Sequence, residues 1–147
     1  ALVDTDSGQA RGMASYLRIA PQWACCEVGS IWYAPALKRS RAATEAMYLM
    51  ARHVFEDLGY RRYEWKCDKF NEASRRAALR LGFQYEGLFR QHMIYKGRNR
   101  DTTWFAMIDQ DWPAVKTAFE TWLSDDNFDA DGGRIRSLAD IRSSPRR

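Results

Sequence analysis

The chain has 147 residues, 46% hydrophobic and 14% aromatic, which suits one globular domain with a sizeable core and excludes a disordered chain. The net charge is +4, with Arg134, Arg136, Arg142, Arg146 and Arg147 contributing near the C-terminal end. No apolar run is long enough to span a membrane, no signal peptide is read at the start, and Cys25, Cys26 and Cys67 lack metal-ligand spacing, so they read as reduced thiols of a cytoplasmic protein.

Ala1–Asp4 reads as a short strand, Thr5-Asp6-Ser7-Gly8 as a turn, and Gly12–Ile19 as a strand with Met13, Leu17 and Ile19 on one face. After a turn at Pro21-Gln22, Ala24–Tyr33 is the central strand. Its high apolar content suits cover on both faces, and Glu27 is its one charge. Pro35 ends it. Lys38-Arg39-Ser40-Arg41-Ala42-Ala43 is a polar turn, and a helix runs from Thr44 to Leu58, closed by Gly59. Met47, Met50, Ala51, Val54 and Leu58 form its buried stripe.

Arg61–Cys67 alternates, with Tyr63, Trp65 and Cys67 against Arg62, Glu64 and Lys66. Asn71 caps a second helix that stops at Leu81-Gly82-Phe83. Phe83–Tyr95 alternates as a long strand, with Phe83, Tyr85, Phe89, Met93 and Tyr95 on one face and Glu86, Arg90 and His92 on the other. Gly97 turns the chain into a returning strand, Thr102–Ile108. Asp111-Trp112-Pro113 opens a last helix, with Asp111 as its cap and Val115, Phe119, Trp122 and Leu123 as its apolar stripe. Residues 124–147 read as a polar, flexible tail with one turn of helix near Leu138.

A strand that feeds a polar turn at a helix start makes an anion site, because the first free N–H groups and the helix dipole point into the turn. Lys38, Arg39 and Arg41 add positive charge there. The succession Ala43-Thr44-Glu45-Ala46, a long amphipathic helix, Asn71-x-x-Ser74, Leu81-Gly82-Phe83, Glu86-Gly87 and Asp101 resembles the GCN5-related N-acetyltransferases (GNAT), most closely the branch that acetylates ribosomal-protein N-termini. The likeness covers roughly residues 1–112.

The resemblance implies an α/β fold with a mixed, twisted central sheet flanked by helices, a domain over residues 1–123, and a first strand and first two helices missing from an N-terminally incomplete chain. It implies acetyl-CoA as co-substrate, an amine acceptor (a protein N-terminus or a small molecule), and no metal. A homodimer stays open, and the basic balance is read as serving the polyanionic cofactor, since no nucleic-acid motif is present. The cofactor would be held by backbone at Ile31, Trp32 and Tyr33, by the turn Lys38, Arg39, Ser40, Arg41, Ala42, Ala43 and Thr44, and by Asn71 and Ser74, with Arg75 and Arg76 in reach of a phosphate. One departure stands out: the family pattern Gln/Arg-x-x-Gly-x-Gly/Ala is Lys38-x-x-Arg41-x-Ala43 here, with arginine in place of the central glycine.

The acid that protonates the departing thiolate is a tyrosine in many relatives; that position is Ala78 here. The ribosomal-type branch uses the serine, which is Ser74; its other reading is a helix-start residue. For the base, Glu27 is first, because a carboxylate in an apolar strand is costly unless paired or solvated, and burial raises its pKa. Its other reading is an edge position facing water. The branch's glutamate falls near Met93 and is absent, and His92 ranks second. A non-catalytic acetyl-CoA-binding module is the alternative to an enzyme.

Overall fold

The alternation at residues 62–68 becomes a buried ridge. Tyr63, Trp65 and Cys67 enter the core, while Glu64 and Lys66 take the opposite face. A computed structural model describes residues 1–143. In chain order the elements are β1 (Leu2–Val3), β2 (Ala10–Ala20), β3 (Cys25–Tyr33), α1 (Arg41–Arg52), β4 (Arg62–Asp68), α2 (Glu72–Leu81), β5 (Gln84–Tyr95), β6 (Arg98–Ile108), α3 (Trp112–Leu123) and α4 (Leu138–Ser143). The strands form one six-stranded sheet in the order β1-β2-β3-β4-β6-β5. Only β3 and β4 run parallel, joined through α1; the other neighbours are antiparallel. The mixed α/β sheet expected from the sequence is therefore present.

Cys26 and Val28 of β3 share a face with Tyr63, Trp65, Phe105 and Met107, and α1, α2 and α3 pack on it. Val54 and Met107 are wholly buried there. Such burial is the main stabilising term, worth about 1.5–3 kcal/mol for each large apolar side chain.

Several boundaries differ from the sequence reading for local reasons. α1 starts at Arg41 rather than Thr44, because the Ser40 hydroxyl accepts from the Ala43 N–H at 3.0 Å and sets the cap. It loosens after Arg52 into a wider π turn, His53–Asp57. The long strand β5 does not alternate throughout. Its register against β6 shifts between Tyr85 and Gly87 and again between Phe89 and Met93, where Gln91 has φ +47°. Each extra residue switches the face on which the next side chains lie. Asp111 precedes α3 but does not cap it. Its carboxylate accepts instead from Gln84 Nε2 at 2.9 Å and from the Ile108 N–H at 3.2 Å.

Residues 124–143 read as a polar, flexible tail, and in the structure they pack against the domain. Asn127 is buried, donating to the carbonyls of Trp122 (3.0 Å) and Arg136 (3.2 Å) and accepting from the Arg136 N–H (2.9 Å). Leu138 is 1% exposed in the core, and Arg142 donates to the Leu79 carbonyl of α2 at 2.9 Å. Two buried anchors, Asn127 and Leu138, hold a segment whose other side chains mostly face water. The tail arginines Arg146 and Arg147 lie outside the described residues.

Leu138→Ala is expected to cost about 2–5 kcal/mol, the range for truncating a buried leucine. Urea unfolding checks it; a loss below about 0.5 kcal/mol, typical of a surface change, would mean the segment is not docked in solution.

Candidate active site

The site begins where two parallel strands part. β3 and β4 pair from Cys25–Arg62 to Val28–Trp65 and no further. Beyond that point β3 continues to Tyr33 on β2, and β4 to Asp68 on β6. Ser30, at φ +50°, is a bulge in β3, so Ile31 and Tyr33 turn to the helix side while Trp32 faces out, 60% exposed. The facing edges carry backbone N–H and C=O groups that lack a strand partner, and such groups call for another hydrogen-bonding chain. A cleft of about 1380 Å³ opens from this parting, walled by β3, β4, α1, α2 and the segment after α3.

The start of α1 forms the second wall. Ser40 uses its hydroxyl on Ala43 N–H and donates to the Leu37 carbonyl at 2.7 Å, leaving the N–H groups of Arg41 and Ala42 without an intrahelical acceptor. Arg39 reaches the cleft from the left-handed region, φ +60°. Ser40, Arg41, Ala43 and Thr44 also line the cleft; Lys38, Ala42 and Trp32 do not. Arg41 adopts a helical conformation, as an arginine can where the family has glycine. Its charge is spent elsewhere: it pairs with Asp125 at 2.8 Å, donates to the Leu123 carbonyl and lies 4.7 Å over the Phe128 ring. The expected gain in positive charge at the turn is therefore largely cancelled by Asp125.

α2 supplies the third wall. Asn71 is its cap, its Oδ1 accepting from the Ser74 N–H at 3.1 Å. The Ser74 hydroxyl accepts from the Trp65 indole at 2.9 Å, across the mouth of the parted strands. With that lone pair occupied, the hydroxyl proton is left to donate, and the indole would stabilise the oxygen once the proton had gone. Asn71 and Ser74 both line the cleft. Arg75 turns away toward the Lys69 carbonyl, whereas Arg76 stays on the wall beside Glu72.

Glu27 and His92 lie on the opposite face of the sheet. Glu27 is 2% exposed, which removes its edge-strand reading. It stands in register with Glu64, one step before the strands part. Burial raises its pKa, opposed by Lys66, whose Nζ is 3.0 Å from Oε2; that oxygen has no other hydrogen-bond partner. Lys66 also lines the cleft, so it links this face to the opening. His92 is held by Thr102 Oγ1 at 3.0 Å from Nδ1, and its ring sits 6.1 Å from Trp104, over which Lys66 lies at 5.1 Å. Asp101 fixes the bulge before His92 by accepting from the Gln91 N–H at 2.8 Å while pairing with Lys69 at 2.7 Å.

Two parted parallel strands, a helix N-terminus at their mouth and a serine held by a tryptophan form one site, and a family model described as Acetyltransferase (GNAT) domain matches residues 1–84. The chain belongs to the GNAT acetyltransferases. Over 97% of its length it superposes, with a TM-score of 0.93 and 48% identity, on 64% of the chain of a GCN5-related N-acetyltransferase from Brucella melitensis. A probable GNAT acetyltransferase from Chromobacterium violaceum gives 0.71 and 48%, over 74% of this chain and 54% of that one. The uncharacterised N-acetyltransferase YoaA of Bacillus subtilis is 34% identical over 70 residues, 48% of this chain and 40% of that protein. The chain thus spans less than two thirds of each of these relatives.

Four cleft-lining residues escape the sequence reading. Trp65 and Lys66 enter it only as opposite halves of an alternating strand, Arg134 only as part of the basic C-terminal end, and Arg80 not at all. Arg80 borders Leu81, the last buried position of α2, which was the available signal.

Arg41→Ala is expected to raise amide exchange at residues 124–136 above the rest of the domain, since Asp125 and Phe128 lose their tether; uniform exchange would mean the tether does nothing. Glu27 gives a pH signature. Its folded pKa is raised, so its contribution to stability is present below the unfolded value, ordinarily 4.5, and is lost as pH rises through the folded value. Glu27→Gln should therefore gain on the native protein with rising pH from about 4.5, levelling off above the raised pKa. Urea unfolding from pH 4 to 8, at about unit steps, checks the direction.

Proposed function

We propose that this GNAT domain moves an acetyl group from acetyl-CoA to a primary amine, on a protein N-terminus or a small molecule, by direct attack within a ternary complex. The observation that carries the reading is the parting of β3 and β4 after Val28–Trp65, with α1 and Ser74 at its mouth. The open strand edges at Gly29–Tyr33 suit an extended arm bearing amides. The N–H groups of Arg41 and Ala42, with Arg39, suit a pyrophosphate. Acetyl-CoA has both parts in that order.

In the proposed step the neutral amine attacks the thioester carbonyl. The C–N bond forms, the C–S bond breaks, and a backbone N–H of Ile31–Tyr33 would receive the oxyanion. Ser74 gives its proton to the departing thiolate, with Trp65 steadying the oxygen left behind. Glu27, buried on the sheet face opposite the cleft, is the candidate that takes the amine proton there, and burial raises its pKa. His92 is the second candidate, on the same face. A protein N-terminus is favoured as acceptor by the Asn71-x-x-Ser74 pair shared with the ribosomal-type branch. A cytoplasmic setting fits the three free cysteines.

A second reading, a domain that binds acetyl-CoA without turnover, draws on the pairing of Arg41 with Asp125, which takes charge away from the turn. Calorimetry with acetyl-CoA, followed by thiol release with N-terminal peptides and polyamines, separates the two. One-site binding with turnover supports the enzyme, binding without turnover supports the second reading, and no binding to the folded chain overturns both. Ser74→Ala is expected to lower kcat by about a hundredfold to ten-thousandfold, the usual range for a positioned acid, with acetyl-CoA affinity retained.

A further inference from the structure

Six arginines line the cleft, and their pairing divides them. Arg41 pairs with Asp125, Arg76 with Glu72 and Arg100 with Asp68. Among the described residues, Arg39, Arg80 and Arg134 form no ion pair, and of these Arg39 belongs to the turn before α1. Arg80 is half-buried. Its guanidinium donates to Thr44 Oγ1 at 2.8 Å and lies 5.3 Å from the Trp122 ring. The charged neighbours that it feels are Arg134 and Arg142, with the Tyr33 hydroxyl; no carboxylate stands among them. Burial and these two cations together push its pKa down. Arg134 faces it from the segment after α3, in an isolated bridge with Phe128. It acts on Asp140, more weakly than Arg136 does.

Two guanidinium groups set close in a cleft, one of them half-buried with no carboxylate beside it, repel each other, and a polyvalent anion between them relieves that repulsion. The turn at α1 already offers two N–H groups and Arg39 to a pyrophosphate. Arg134 lies on the wall formed by the C-terminal segment. Resting on the acetyl-CoA reading, we infer that Arg80 and Arg134 form a second anion subsite that recognises the 3′-phosphate of coenzyme A, and so select coenzyme A over its 3′-dephospho form. A phosphomonoester carries close to two negative charges near neutral pH, matching two guanidinium groups.

The test pairs each protein with each ligand by calorimetry: acetyl-CoA and acetyl-3′-dephospho-CoA against the native chain, Arg80→Gln and Arg134→Gln. The native chain is expected to bind acetyl-CoA about tenfold to a hundredfold more tightly than the dephospho form. Each variant should shrink that preference while binding the dephospho ligand nearly as the native chain does. Arg134 is exposed, so its variant keeps the test open if Arg80→Gln does not fold. Equal affinity of the native chain for both ligands would overturn the inference and leave the acetyl-CoA reading standing. A variant that weakens both ligands alike would overturn it too, assigning the arginines to the pyrophosphate. Binding of neither ligand would defeat the acetyl-CoA reading itself.

Discussion

Backbone hydrogen bonding at one sheet interface governs the rest of this structure. β3 and β4 share four pairs and then separate, each kept straight by its other neighbour. β3 is held by β2, and β4 by β6, so the gap between them cannot close without breaking a ladder on either side. The bulge at Ser30 maintains the divergence. Everything chemical gathers at that gap: α1 points its N-terminus there because the parallel crossover brings it back over the sheet, and α2 starts there because β4 ends there.

The fold was legible where residues obey one period. Arg61–Cys67 alternates and is a strand, and Met47, Ala51 and Val54 of the first helical stripe are buried, although Leu58, read as its last member, is exposed. Asn71 looks like a cap and is one. Legibility fails where tertiary pairing overrides local preference. Arg18, Ser30 and Gln91 all take positive φ although none is glycine; Arg18 and Ser30 mark one-residue bulges that switch faces downstream, and Gln91 sits in a two-residue insertion that breaks the alternation locally. Nothing in their identities announces it. Among the cleft-lining residues, Asn71 and Ser74 carry a spacing and could be read. The partners that give them chemistry, Trp65 above all, come from another strand.

Charge shows the same split between composition and arrangement. A net charge of +4 says only that the surface is basic. In the structure, exposed arginines such as Arg41 are neutralised by neighbours, while Arg80, which looks like an ordinary helix-face cation, is left among other cations. On the opposite sheet face a buried acid is held to one lysine, Glu27 to Lys66, so the two faces differ in the sign of the group kept in reserve. That asymmetry suits a reaction in which one side receives an anionic donor and the other takes a proton.

The docking of residues 124–143 also has a temporal consequence. Phe128, Gly132 and Arg134 complete the cleft, yet they come after every strand and the three long helices in the chain. As the polypeptide leaves the ribosome, the sheet and its parted strands can form while this wall is still inside the exit tunnel. The nascent domain would therefore display an open, basic, half-built groove until residues 124–143 have emerged, and ligand capture would be postponed to the moment when Leu138 seats.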